Sequence, residues 1–232
     1  MDGNGRWALE RGFPRVEGHR MGVEALRPLV EGCIDKGIKI LSIFAFSSEN
    51  WSRPAEEVTQ LMSLFITVLH QEVEKLFEQG VRLCFTGERS RLPLALQTLI
   101  ASVEANSVMY DRLTLNIVVN YGGHWDIVQA AKNLAEDVAA GQLMPEQITE
   151  AVFESKLSMY PLPHPDLMIR TGGECRLSNF FLWQLAYSEL YFSSLHWPDF
   201  TRDEFEKALD SFAARQRRYG KISNQVHEEQ HA

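Results

Sequence analysis

The chain has 232 residues, 23 Lys and Arg against 31 Asp and Glu, a formal net charge of −8 and 45 % hydrophobic residues. That is an ordinary globular composition on a chain long enough to bury its own core, which excludes a disordered or collagen-like protein. The acidic balance argues against nucleic acid as a partner. Of the basic residues 16 are Arg, whose planar fork suits phosphate, so a local basic pocket stays open.

Residues 1–18 are rich in Gly and Arg and weakly periodic, and read as a loop. A helix is expected from His19 to Lys36, on the spacing of Val23, Leu26, Leu29 and Val30, with Gly37 as its stop and Pro28 interrupting its middle. Residues 38–46, IKILSIFAF, form a short bounded apolar run, the pattern of a strand covered on both faces. Ser52-Arg53-Pro54 then opens a long helix to Gln79, stopped by Gly80. Its apolar stripe is wider than one core-facing side needs, so the helix is either sandwiched or lines an apolar cavity with its second side.

The alternation continues with a strand over 81–87, a helix over 92–107, a strand over 113–120 and a helix over 124–140. A strand over 166–170 and a helix over 201–214 follow, and the polar segment 221–232 is expected to be a mobile tail. Strands alternating with helices predict an α/β fold: a single domain over 1–232 with a mostly parallel sheet flanked by helices. Ligands of such sheets sit beyond the carboxyl ends of the strands. The cysteines, Cys33, Cys84 and Cys175, form no CxxC pair, which suggests neither a zinc site nor a disulfide framework and fits a reducing, cytoplasmic compartment. No apolar run reaches the roughly 20 residues of a membrane span.

Three segments carry chemistry. The first is Asp2-Gly3-Asn4-Gly5-Arg6-Trp7, with Arg15 and His19 downstream. Its glycines free backbone N–H groups to approach an anion, its arginines add charge, and Asp2 is a hard oxygen ligand suited to Mg²⁺. A plain Gly-rich turn would look the same. The second is Ser47-Ser48-Glu49-Asn50-Trp51-Ser52-Arg53, directly after a buried strand. Helix capping would account for its serines but not for Trp51 or Arg53. The third runs from Arg170 to Phe180, where two arginines and a serine flank a Gly-Gly turn after a strand, an arrangement suited to a diphosphate. Glu189 lies among apolar residues, where a carboxylate wants a partner or a metal. No GxxxxGK[ST], GxGxxG or GxSxG motif occurs, and no two aspartates are adjacent.

The segments MDGNGRW, GHRMG, FAFSSENWSRP, LNIVVNYGGHWDIV, DLMIRTGGECRLSNFFLWQLAYSELYF and WPDF together closely resemble the cis-prenyltransferase family, from Met1 to about Gly220. The resemblance implies a central, mostly parallel sheet of about six strands, a hydrophobic tunnel walled partly by the helix over 54–79, and a homodimer. It implies Mg²⁺-dependent, Z-selective addition of isopentenyl diphosphate to farnesyl diphosphate, giving undecaprenyl diphosphate for cell-wall polysaccharide synthesis, with peripheral membrane contact for product release. It gives Asp2 the role of bringing Mg²⁺ to the diphosphate, and Glu189 a second metal position. Gly3, Asn4, Gly5, Arg6, Trp7, Arg15 and His19 would hold the allylic substrate. Ser47, Ser48, Glu49, Trp51 and Arg53 would shape the region between the substrates, with Asn50 at the position of proton removal. Arg170, Arg176, Leu177 and Ser178 would bind isopentenyl diphosphate, and Arg218-Tyr219-Gly220 would reach the partner subunit.

Two departures accompany the likeness. The family has a short apolar strand ahead of MDGNGRW, so about 15–25 further residues are expected upstream of Met1, including a run of strand length. Cys175 stands where relatives often carry His, and a thiol is a poor Mg²⁺ ligand. Other readings are a catalytically silent partner subunit of the same fold, and a phosphatase-like α/β enzyme, for which no nucleophile is apparent.

Overall fold

The computed structural model describes residues 1–215. The tail over 221–232 and the Arg218-Tyr219-Gly220 signature lie outside them. A central parallel sheet has the order β1 (Ile40–Ser47), β3 (Leu113–Tyr121), β2 (Val81–Thr86). β3 is buried along its whole length except at half-buried Thr114, as a middle strand covered on both faces must be. Strand alternation sends Leu113, Leu115, Ile117 and Val119 into one apolar layer and Val118 into another, with Met168 and Phe181. Asn116 crosses all three strands: its Nδ2 donates to Ser42 Oγ at 3.1 Å, and its Oδ1 accepts from Thr86 Oγ1 at 2.8 Å. A buried amide with both ends used costs little.

A separate parallel pair joins β4 (Leu167–Arg170) to β5 (Glu189–Phe192). This corrects the expected single sheet of about six strands. Among the described residues there are five, in two sheets, because β1 pairs only with β3 and β4 only with β5. β5 is four residues long and half-buried throughout, so its sequence carries no alternation to read.

The segment over 1–18 is not all loop. α1 (Asn4–Glu10) starts directly after Gly3, and α2 (Arg15–Glu24) packs across it. The approach is close: a Cβ at Gly18 would lie 1.9 Å from the Asn4 carbonyl oxygen. The helix expected over His19–Lys36 is two, α2 and α3 (Leu26–Asp35), and Pro28 falls in the first turn of α3, where its missing N–H is not needed. α4 (Ala55–Glu78) and α5 (Leu94–Ser107) fall close to their expected spans and pack against each other. The wide stripe of α4 serves the core and, near its carboxyl end, a partly polar cleft. Val58, Met62, Leu69 and Val73 are buried in the core, while Phe77, Leu69 and Val73 also wall a cleft of about 180 Å³ against Leu99 and Val103. α6 (Gly123–Ala139), α7 (Glu150–Glu154) and α8 (Arg202–Ala213) complete the described helices.

Candidate active site

Asp2 is anchored beyond the carboxyl end of β4. Its backbone N–H donates to Thr171 Oγ1 at 2.9 Å, and the same hydroxyl donates back to the Asp2 carbonyl oxygen at 2.9 Å. Trp197 N–H also donates to that carbonyl, at 2.9 Å. The carboxylate accepts from Gly3 N–H at 2.7 Å and from Arg170 Nη2 at 3.0 Å, and Arg6 Nη2 stands 3.7 Å away. Burial alone would raise the Asp2 carboxyl, but the Arg170 and Gly3 hydrogen bonds and the Arg170 charge hold it below its ordinary value. Gly172 sits at φ +88°, backbone that strains any other residue, and a Cβ there would approach the Asp2 carbonyl carbon at 3.3 Å.

Around this pair the third segment folds back. Arg170 Nη1 donates to Ser178 Oγ at 2.7 Å and to the Arg176 carbonyl oxygen. Glu174 joins Arg176 Nη1 at 2.6 Å to Arg6 Nη1 at 3.7 Å. Arg6, placed by sequence with the allylic group, therefore stands with Asp2, Gly172 and Glu174, on the side of Arg170 and Arg176. Leu177 packs against the apolar layer of Phe181 and Met168, and Cys175 is an exposed free thiol.

The other cluster is built on α2 and α4. Arg15 lies over Gly5, where a Cβ would meet its guanidinium carbon at 2.9 Å. Glu57 holds Arg53 Nη1 at 2.9 Å and Arg15 Nε at 3.5 Å. His19 is half-buried among Arg15, Arg53 and Glu57; burial, then the Arg53 charge, pushes it down to about 4, so it is neutral near pH 7. Its Nε2 and the Asn4 Oδ1 are buried without a partner. Buried polar atoms left unpaired beside arginines mark a place for a ligand.

The second segment forms a 3₁₀ turn over Ser48–Ser52 with Ser47 as its cap: Ser47 N–H donates to Asn50 Oδ1 at 3.0 Å. Capping thus accounts for Ser47 and Asn50. Trp51 Nε1 donates to Asn120 Oδ1 at 2.7 Å, and Arg91 lies 5.2 Å over its ring. Glu49 Oε1 accepts from Asn179 Nδ2 at 2.7 Å. Burial would raise the Glu49 carboxyl, but the hydrogen bonds from Asn179, Ser47 and Ser48 hold it low. Trp7 turns its indole N–H to Asp199 Oδ1 at 2.7 Å and carries Arg11 on its ring.

Glu189 does not join Asp2. It lies at the amino end of β5 opposite Leu167, with Oε2 accepting from Arg215 Nη1 at 2.8 Å. Asp2 is held at Thr171, beyond the other end of the strand pair, roughly 13 Å along at about 3.3 Å per strand residue. Among the described residues no three His, Cys, Asp or Glu side chains gather into a cation site. Asp2 alone still fits Mg²⁺, which characteristically takes one or two carboxylates and completes its shell with water and substrate phosphate. Glu57 and Asn120 lie outside the three segments, and Thr171 and Asn179, inside the third, carry no role there by residue type alone; their contacts with Arg15, Trp51, Asp2 and Glu49 are remote in the chain.

Comparison with known proteins identifies the family of the chain. Residues 1–220 match the family model described as putative undecaprenyl diphosphate synthase. A ditrans,polycis-undecaprenyl-diphosphate synthase, (2E,6E)-farnesyl-diphosphate specific, of Legionella pneumophila is 55 % identical over 96 % of this chain and 94 % of its own. A protein of the same description from Pseudomonas putida is 53 % identical, over 97 % and 90 %. The lavandulyl diphosphate synthase of Lavandula x intermedia, solved with dimethylallyl diphosphate, superposes with a TM-score of 0.92 at 39 % identity, covering 95 % of each chain. A probable undecaprenyl diphosphate synthase of Campylobacter jejuni gives 0.78 at 37 % identity, over 87 % of this chain and 93 % of that one.

Proposed function

The chain belongs to the undecaprenyl diphosphate synthase family of prenyltransferases, and on that premise we propose how its site condenses isopentenyl diphosphate repeatedly onto farnesyl diphosphate, each new double bond Z, to give undecaprenyl diphosphate. One observation carries the reading. Three segments remote in sequence converge, joined by the Arg170–Asp2 contact at 3.0 Å and the Asn179–Glu49 contact at 2.7 Å.

Breaking an allylic carbon–oxygen bond leaves a cation and a diphosphate anion. Mg²⁺, held by Asp2, would neutralise charge on that diphosphate. Gly3, Asn4, Gly5, Arg6, Arg15 and His19 bind the allylic diphosphate. Neutral His19 serves as a hydrogen-bonding group there, and the arginines supply the charge. Arg170, Arg176 and Ser178 take the diphosphate of isopentenyl diphosphate through the two-pronged geometry of guanidinium. Glu49, Trp51 and Arg53 wall the space between the substrates. The isopentenyl double bond joins the allylic cation and the new cation loses a proton; Asn50 already has its side-chain amide oxygen on Ser47 N–H, so it fixes geometry while the released diphosphate anion takes the proton. The apolar side of α4 shields the cation from water and guides the growing chain.

The same likeness supports a homodimer, and peripheral contact with a membrane as the long apolar product leaves. Among the described residues no helix is long and apolar enough to cross one. The test is incubation with labelled isopentenyl diphosphate, farnesyl diphosphate and Mg²⁺, followed by chain-length analysis of the extracted product. Long Z-prenyl diphosphates are expected; no incorporation would replace this reading with that of a silent partner subunit.

A further inference from the structure

We infer that Asn179 is a positioning residue that locks three loops of the site into one frame, setting the isopentenyl diphosphate loop against the turn that carries Glu49 and Asn50. The inference rests on the function proposed above and adds a residue to it.

The Asn179 side chain uses both ends of its amide on different segments. Its Nδ2 donates to Glu49 Oε1 at 2.7 Å, and its Oδ1 accepts from His124 N–H, in the first turn of α6, at 2.8 Å. Its backbone carbonyl accepts from Gly123 N–H at 2.7 Å. The junction has no spare room: a Cβ at Gly122 would lie 2.5 Å from Ser48 Oγ and 2.7 Å from Asn179 Nδ2. The backbone is committed as well, with Ser178 at φ +49° and Asn179 at φ +62°. Asn enters that left-handed region readily, whereas Ser does not. Ser178 is the residue whose Oγ accepts from Arg170, which in turn holds Asp2. One amide thus links the frame of the diphosphate loop to the turn between the substrates, with the start of α6 as the fixed point.

Asn179→Asp is the cleanest variant. It keeps the size, the tolerance of left-handed backbone and the acceptor for His124 N–H, and it sets a carboxylate against Glu49 in place of a donor. Losing a charge-assisted hydrogen bond predicts a rise of about tenfold or more in KM for isopentenyl diphosphate and a lower kcat. KM for farnesyl diphosphate should stay within about twofold. Adding Glu49→Gln restores a donor facing the new carboxylate, so the double variant should recover most of the lost affinity, judged against Glu49→Gln alone.

Amide exchange gives a readout that needs no turnover and does not depend on the substrates. In Asn179→Asp, amides of residues 48–52 and of 123–124 should both exchange about fivefold faster or more, with those of β2 unchanged. Both KM values and kcat within twofold of the parent chain, no recovery in the double variant, or faster exchange confined to 177–180 would each overturn the inference. A parent chain that makes no product would sink the proposed function instead, and the exchange result would still decide whether Asn179 joins the loops.

Discussion

Trp51 and Asn120 meet at the end of the central strand: the indole N–H donates to Asn120 Oδ1 at 2.7 Å, while Asn120, at φ +49°, passes its own Nδ2 to the Glu88 carbonyl oxygen at 2.7 Å. The tryptophan of the second polar segment is therefore fixed to β3 by its polar edge, leaving its ring between Phe46 and Arg91. Trp51→Phe keeps most of the ring contact and leaves the buried Asn120 oxygen unpaired. The expected loss of stability is about 1–3 kcal/mol in denaturant unfolding. A loss under about 0.5 kcal/mol, the range of ordinary surface changes, would show that the bond anchors nothing.

Asp2→Ala should cut turnover by several orders of magnitude, since a charge aimed at a developing anion is worth several kcal/mol. Its carboxylate is half-exposed, so the melting temperature should change little. Excess EDTA should stop the parent chain equally. Turnover near that of the parent in either case would remove Asp2 from the reaction.

The arginines should separate by substrate. Lys keeps the charge but loses the fork, so Arg170→Lys and Arg176→Lys should raise KM for isopentenyl diphosphate, and Arg15→Lys that for farnesyl diphosphate. Arg6 touches both Asp2 and Glu174, so Arg6→Lys should disturb both constants. Separate Michaelis constants decide the matter, and equal effects from all four variants would mean that no division exists.

His19 predicts an acid limit. Its folded value of about 4 lies below the ordinary 6.5, so the unfolded chain binds more protons across that window. Stability is fully present above about pH 6.5 and is lost as the pH falls towards 4. Arg15 and Arg53 oppose protonation and Glu57 favours it, and burial outweighs all three. His19→Gln, which cannot titrate, should lose less melting temperature than the parent chain between pH 6.5 and about 5, above the carboxylate range in which Asp2 and Glu49, also held low, add their own loss.

Much of the fold was legible because it rests on local pattern. The runs at 38–46, 81–87, 113–120 and 166–170 and the helices between them are set by periodicity and by Gly and Pro stops. α1 is hidden because Gly3, Asn4 and Gly5 read as a turn; Gly3 does turn, at φ +100° ahead of the helix, while the helix from Asn4 packs on α2 through Gly18, a contact that spacing does not reveal. The motifs pointed to Asp2, Arg170 and Ser178. Thr171, Glu57 and Asn179 are ordinary in sequence, and their importance comes from partners brought near only by folding.

The reciprocal hydroxyl clasp between Thr171 and Asp2 also bears on how the protein assembles. It joins residues 169 apart, and a contact so remote in the chain costs more loop entropy than the local helices do. The reaction centre is thus expected to close after the helices form. In a refolding experiment helical signal should return first and turnover last, so recovered activity reports a fully closed chain where recovered helix does not.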